Sequence, residues 1–112
     1  MKLPNTSNAV AEREKIADYL LNSAHPDNCG KAEFFERLGF RPDRWTLLAE
    51  ALLALAQRAD VARDIQSPHG RKYVIIGQIE TPAGKPAKVR TIWIVDKGLA
   101  VARLVTAYPH KE

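Results

Sequence analysis

The sequence predicts an α+β fold: about three N-terminal helices packed on a C-terminal antiparallel meander of three to four strands. Apolar residues recur every three or four positions up to about residue 60, and β-branched residues in alternating patterns dominate after Val61. Short turn-forming segments separate the later runs. At 112 residues the chain has the length of one domain. We expect a flexible end at 1–7, a helical half at 8–60 and a sheet half at 61–109.

The helical half divides into three segments. A first helix is predicted over 8–22, because its apolar positions fall on one face, and the turn-rich stretch SAHPDNCG ends it. A second covers about 31–38, with Gly39 placed as a left-handed cap and Phe40 packing back on the last turn. A third begins at Pro42, which suits a first helical turn, and runs to about Ala59.

The sheet half contains four candidate strands. VARDIQ is a short strand closed by the turn SPHG, and RKYVIIGQIE, AKVRTIWIV and VARLVTAY are longer. TPAGKP and DKG are short enough to connect the last three as hairpins. Consecutive hairpins predict an antiparallel meander, with the helices covering one of its faces.

Side-chain alternation assigns the two faces of this sheet. The helices can cover one face, and alternation gives the other the aromatic and hydroxyl residues Tyr73, Thr91, Trp93, Thr106 and Tyr108. Two interpretations of this aromatic face are open. It is either a second wall of the core or a platform that binds a partner.

Charge and composition limit the classes of function that fit this chain. The net charge is +4, but residues 1–60 carry 8 Lys/Arg against 9 Asp/Glu, and residues 61–112 carry 9 against 4. A basic half fits a polyanion such as RNA, and it equally fits a soluble sheet edge. The single cysteine excludes an internal disulfide, and no segment has the features of a signal peptide or a membrane span. These features predict a cytoplasmic protein that does not engage a membrane.

Most catalytic motifs are absent. The sequence has no C-x-x-C, no H-E-x-x-H and no glycine-rich phosphate loop, so we expect neither a metal site nor a cofactor. What remains is acid–base chemistry. RNA carries its own nucleophile, the 2′-hydroxyl, so its cleavage needs a base, an acid and cations around the phosphate. Histidine suits the first two roles, and lysine and arginine suit the third.

Two segments could supply these groups. One is HPDNCGK, which brings His25 and Lys31, and the other is the turn HGRK, which brings His69. The candidate catalytic residues are His25, His69, Lys31, Thr106 and Tyr108, and the candidate phosphate or RNA contacts are Arg71, Lys72, Arg90 and Thr91. The structural alternative is that His25 is a loop residue beside a helix and His69 an ordinary turn residue.

The segments DYLLNSAHPDNCGKAEFFERLGF, HGRKYVIIGQI, PAGKPAKVRTIWIV and RLVTAYP resemble a small bacterial domain family of unknown function, over about residues 16–109. Members occur alone and at the carboxy-terminal ends of larger secreted proteins, where they look like toxin modules. The layout is also similar to the ribonuclease-toxin fold of barnase, EndoU, colicin D and RelE. In one departure, the loop between His25 and Lys31 reads PDNCG, where related sequences more often have glycine and serine.

The resemblance implies a metal-independent endoribonuclease that acts on RNA, with a cognate immunity or antitoxin protein as a second partner. Of the candidates above, it supports His25, Lys31, Lys72, Arg90, Thr91, Thr106 and Tyr108. The alternative is a non-catalytic protein-interaction module that uses the aromatic sheet face, and a third hypothesis is nucleic-acid binding without catalysis. The observation that separates them is whether the histidines and cations share one cleft.

Overall fold

The computed structural model describes residues 1–28 and 30–110, and Cys29 lies outside the described residues. The first half contains a 3₁₀ turn (Thr6–Asn8), helix α1 (Arg13–Lys15) continuing into a π segment (Ile16–Leu20), helix α2 (Lys31–Arg37), a 3₁₀ turn (Pro42–Arg44) and helix α3 (Trp45–Arg58). The second half contains β1 (Arg63–Ser67), β2 (Gly70–Ile79), β3 (Ala87–Asp96) and β4 (Ala102–Pro109). These strands form one antiparallel sheet in the order β1-β2-β3-β4. The predicted α+β fold is confirmed.

The N-terminal segment differs from the prediction. The backbone of Val10 pairs with the edge of β4, where its N–H donates to the carbonyl of Ala102 at 3.0 Å and its own carbonyl accepts from Leu104 at 2.9 Å. This pairing requires extended backbone, so the helix predicted from residue 8 begins only at Arg13. Residues 1–7 are also held by the fold, since Leu3 is only 2% exposed.

The other two helices lie close to their predicted positions. Gly39 follows α2 with φ of 95°, as expected of a left-handed cap. Helix α3 buries Leu48 and Leu52 completely. Its Leu55 packs so near β2 that a Cβ atom on Gly77 would lie 2.6 Å from the Leu55 side chain, which explains the glycine in that strand. Among the described residues no helix is long and apolar enough to cross a bilayer.

The helices cover one face of the sheet, the inner face. Tyr73 lies opposite Trp93 there, and both side chains belong to the core, with Trp93 fully buried. The opposite face, the outer face, carries Val74 and Ile94, which are buried outside that core cluster. The prediction that the helices lie opposite Tyr73 and Trp93 is therefore wrong, since the helices cover the face that carries them. Both side chains form a wall of the core, as the first interpretation had it, and do not form an aromatic platform.

A β-bulge explains why side chains near the end of β4 lie on the opposite face of the sheet from the predicted one. Trp93 pairs with Leu104, but Ile92 pairs with Thr106, so Val105 is an extra residue in β4. Because side chains alternate, one extra residue reverses the facing of everything after it. Thr106 and Tyr108 therefore leave the face that alternation assigned to them, and Tyr108 lies opposite Arg90 on the outer face.

An ion pair between Asp96 and Arg103 leads to a testable pH dependence. The guanidinium donates to both carboxylate oxygens, at 2.7 and 3.0 Å, and this hydrogen bonding lowers the pKa of Asp96 from its ordinary value of 3.8. Because the pKa of Asp96 is lower in the folded chain than in the unfolded chain, ionised Asp96 stabilises the fold above pH 3.8. This stabilisation disappears as the pH falls through the pKa that Asp96 has in the folded chain. We expect Asp96→Asn to lower the melting temperature near neutral pH, with the difference shrinking below pH 3.8.

Thermal unfolding followed by circular dichroism between neutral pH and about pH 2 measures this difference. Asp43→Asn is the control, because Asp43 forms an exposed pair with Arg41 at 3.4 Å. Such pairs contribute little to stability. A melting difference for Asp96→Asn that stays constant over the whole pH range would contradict the assignment.

Candidate active site

A groove of about 680 Å³ lies where the first helical segment crosses the edge strand β4. Tyr19 of the π segment forms one wall, His25 of the following loop another, and Thr106 of the bulge in β4 a third. Segments that are far apart in sequence therefore meet here, and two of the predicted candidates lie in the same groove.

The π segment places Tyr19 in the groove. The N–H of Leu21 donates to the carbonyl of Ile16 at 2.9 Å, a bond five residues back instead of four. In an α-helix, residues three and four apart share a face. The wider turn keeps Ile16 and Leu20 in the core and turns Tyr19 towards β4, where its hydroxyl lies 3.3 Å from Oγ1 of Thr106. Single π turns occur frequently at functional sites.

Two lysines surround the Tyr19 ring. The Nζ atom of Lys31, the first residue of α2, donates a 2.6 Å hydrogen bond to the phenolic oxygen and lies 5.0 Å from the ring centroid. The Nζ of Lys15 lies 5.7 Å from the same centroid and its side chain lines the groove. An ammonium in this position compensates negative charge on the tyrosine oxygen during a proton transfer. Lys31, predicted as a candidate, thus contacts the Tyr19 hydroxyl directly.

Asn28 connects the two elements that carry these groups. Its Oδ1 accepts from the N–H of Ala32 at 2.8 Å, inside the first turn of α2. Its Nδ2 donates to the carbonyls of Tyr19 at 2.6 Å and Leu20 at 3.3 Å. Asn28 is 2% exposed, so these bonds form away from water. The side chain therefore fixes the distance between Tyr19 and Lys31.

His25 completes the group of polar side chains. Its ring meets Tyr19 edge to face, with centroids 4.9 Å apart. Its Nδ1 accepts a 3.1 Å hydrogen bond from the backbone N–H of Asp27, so the neutral ring carries its proton on Nε2. Histidine and tyrosine in contact give the groove two groups that can exchange protons.

The charge of the groove is mixed. Lys15 lines it and Lys31 lies behind Tyr19, while the carboxylates of Glu14, Asp18 and Asp27 occupy its rim. The described residues contain no group of three or more His, Cys, Asp and Glu side chains arranged to hold a metal ion. Two lysines thus stand against three carboxylates around the groove, a balance that does not suit a long polyanion.

The second predicted segment lies elsewhere. His69 is exposed in the turn between β1 and β2, and β2 and β3 separate that turn from the edge strand β4. Arg71 beside it is paired with Asp64 at 2.5 Å, and Lys72 is exposed. The structure thus separates the HGRK candidates from the groove at His25.

The remaining candidates are not in the groove either. Thr91 is completely buried on the inner face, where its hydroxyl donates to the carbonyl of Ile75 at 2.8 Å and accepts from Nε1 of Trp93 at 2.9 Å. A hydroxyl used in this way inside the core cannot contact a phosphate, which removes Thr91 from the candidates. Arg90 and Tyr108 lie opposite each other on the outer face.

Comparisons with known proteins place the chain in a family and a fold. The family model described as "Domain of unknown function (DUF6883)" matches residues 2–111. No curated protein matches. A similar solved chain comes from the structure "Contact-dependent growth inhibition toxin - immunity protein complex from Klebsiella pneumoniae 342". It is 22% identical, the match covers 96% of this chain and 97% of that one, and the TM-score is 0.75. Likeness at this identity shows a common fold.

Proposed function

The chain belongs to the DUF6883 family of domains of unknown function, and we propose that it is a metal-independent endoribonuclease of the bacterial toxin type. One observation carries the proposal: His25 and Thr106 meet Tyr19 in one groove, with the ammonium of Lys31 on the tyrosine oxygen. A histidine, a phenol and two lysines supply the base, the acid and the cations that cleavage of RNA without a metal requires.

The proposed reaction uses the 2′-hydroxyl of the RNA as the nucleophile. His25 takes the 2′ proton, exchanging its Nδ1 bond with Asp27 for the substrate hydroxyl. The 2′-oxygen then bonds to phosphorus and the bond from phosphorus to the 5′-oxygen breaks. Tyr19 gives its proton to that 5′-oxygen, while Lys31 compensates the charge left on the phenol and Lys15 faces the phosphate. The products are a 2′,3′-cyclic phosphate and a 5′-hydroxyl end.

The mixed charge of the groove favours flexible RNA as the substrate. Two lysines against three carboxylates cannot hold the evenly charged backbone of a duplex by counterion release alone. A single-stranded loop can bend so that one phosphate enters beside Lys15 while its neighbours remain in solvent. Sequence-specific proteins read RNA mostly in such unstacked loops. The proposed substrate class is therefore single-stranded segments within folded RNA.

The similar Klebsiella chain comes from a complex that holds both a toxin and an immunity protein, so the fold alone fits either role. The groove with His25 and Tyr19 supports the toxin role, because a protein that only binds its partner has no need of side chains that transfer protons. Induced synthesis in a bacterial host tests this choice. Growth arrest by the natural chain, with normal growth of His25→Ala at the same protein level, supports a toxin. Normal growth with both contradicts it.

We expect the purified chain to cleave total RNA or tRNA in the presence of EDTA, since the groups used are all side chains of the protein. The products should carry 2′,3′-cyclic phosphate ends, which treatment with a phosphatase and a kinase distinguishes from other ends. Single-stranded loops should be cut before paired stems. RNA that stays intact at high protein concentration would overturn the proposal.

A further inference from the structure

The phenolic oxygen of Tyr19 has three polar neighbours within hydrogen-bonding distance. The Nζ atom of Lys31 lies at 2.6 Å, Oγ1 of Thr106 at 3.3 Å and the backbone carbonyl of Asp27 at 3.5 Å. An ammonium group has donors and no acceptor, so Lys31 donates and the phenolic oxygen accepts. The proton of the phenol itself therefore points towards one of the other two neighbours.

Thr106 is the better acceptor of the two for this proton. Hydrogen bonds from hydroxyl groups are normally about 2.5–3.0 Å long, so the contact with Thr106 is closer to a normal bond than the contact with Asp27. The Asp27 carbonyl also accepts from Nζ of Lys31, at 3.5 Å. Thr106 lines the groove together with Tyr19, so a phenolic proton that points to Thr106 lies at the groove wall.

The β-bulge fixes Thr106 in this position. Val105 is the extra residue of β4, and Thr106 follows it in a regular pair with Ile92. Threonine is branched at Cβ, so its side chain has less rotational freedom than that of serine. The hydrogen of its hydroxyl nevertheless rotates freely about the C–O bond, and the oxygen can both donate and accept. The strand therefore holds an oxygen beside Tyr19 that can change from acceptor to donor.

We infer that Thr106 is a positioning residue for Tyr19. Before the reaction its hydroxyl accepts the phenolic proton and keeps that proton at the groove. Tyr19 then gives the proton to the leaving 5′-oxygen, and the Thr106 hydroxyl rotates and donates its own hydrogen to the phenolate. Lys31 can perform only the second of these tasks, because it has no acceptor. This inference rests on the proposed function, in which Tyr19 is the general acid.

Two substitutions separate this role from a structural one. Thr106→Val keeps the branched shape of the side chain and removes the hydroxyl, and Thr106→Ser keeps the hydroxyl and removes the methyl group. The matched control is Thr46→Val, the same change at an exposed position of α3. We expect activity to follow the hydroxyl, so that Thr106→Ser recovers most of the rate that Thr106→Val loses.

The test compares two forms of an RNA oligonucleotide that the natural chain cuts, one with the normal 5′-oxygen at the cut bond and one with sulfur in its place. A thiolate leaves without a proton, so the second form needs no general acid. Thr106→Val should slow single-turnover cleavage of the oxygen form in EDTA by about tenfold or more. It should slow the sulfur form by less than about twofold, which also shows that the variant is folded.

Tyr19→Phe should give the same pattern with a larger loss, and His25→Ala should slow both forms, since each needs the base. Adding Thr106→Val to Tyr19→Phe should cause no further loss, because the two residues act on one proton transfer. Equal slowing of both forms by Thr106→Val, no slowing of either, or a further loss in the double variant would overturn this inference and leave cleavage by His25 and Tyr19 in place. Failure of the natural chain to cut any RNA would overturn the proposed function, and this inference with it.

Discussion

Replacing His25 with alanine is expected to slow RNA cleavage by about 10²–10⁴-fold, the usual contribution of one acid–base group. The same replacement of His69 should change the rate by less than about twofold, since a group outside the site takes no part in proton transfer. His69 is exposed in the turn between β1 and β2, away from the groove that contains Tyr19 and Thr106. The measurement is the single-turnover rate on a labelled RNA in EDTA.

Tyr19→Phe extends this comparison. It keeps the ring that packs edge to face with His25 and removes the hydroxyl that receives the bond from Lys31. A loss of about 10²-fold or more with an unchanged melting temperature is expected, because the proton for the leaving oxygen is gone. Equal rates for His25→Ala and His69→Ala would show that His25 does not act as proposed, and a loss confined to His69→Ala would move the active site to the turn between β1 and β2.

The fold class could be predicted from the sequence because the spacing of apolar residues reflects which side chains are buried. The stripe on α3 exists because one face of that helix is covered, so Leu48 and Leu52 lie in the core as the stripe indicates. Alternation along β2 and β3 separated the two faces of the sheet but assigned Trp93 to the wrong one, because both faces are apolar at their centres. The start of the first helix was predicted wrongly for the same kind of reason. Val10 is extended because it pairs with β4, a strand more than ninety residues later, and no local pattern records that pairing.

The candidate site was only half visible in the sequence. His25, Lys31 and Thr106 could be proposed from their chemistry, since histidine, lysine and hydroxyl groups suit acid–base work. Tyr19 was missed, because its position beside Thr106 depends on a π turn and on a bulge at Val105. Each device adds one residue to a regular element and changes which side chains face outward. Neither the π turn nor the β-bulge can be recognised from the spacing of apolar residues in the sequence.

Asn28→Asp should destabilise the chain strongly despite the nearly identical shape of the two side chains. The Nδ2 group that donates to the carbonyls of Tyr19 and Leu20 becomes an acceptor, so two carbonyls lose their donor and a carboxylate is placed in a site that is 2% exposed. Each unsatisfied buried group costs about 1–3 kcal/mol, and a buried charge costs more. We expect the free energy of unfolding to fall by roughly 3 kcal/mol or more.

Urea unfolding followed by tryptophan fluorescence measures this loss, because Trp93 lies in the core. Asn22→Asp is the matched control, since Asn22 is only half-buried and its side chain bonds locally to the carbonyl of Asp18 and the N–H of Ala24. It should cost less than about 1 kcal/mol. If the buried asparagine fixes the separation of Tyr19 and Lys31, the residual folded fraction of Asn28→Asp should also cleave RNA more slowly than the natural chain. Equal stability of the two aspartate variants would mean that α2 and the π segment are held together by packing alone, and the geometry of the groove would then need another explanation.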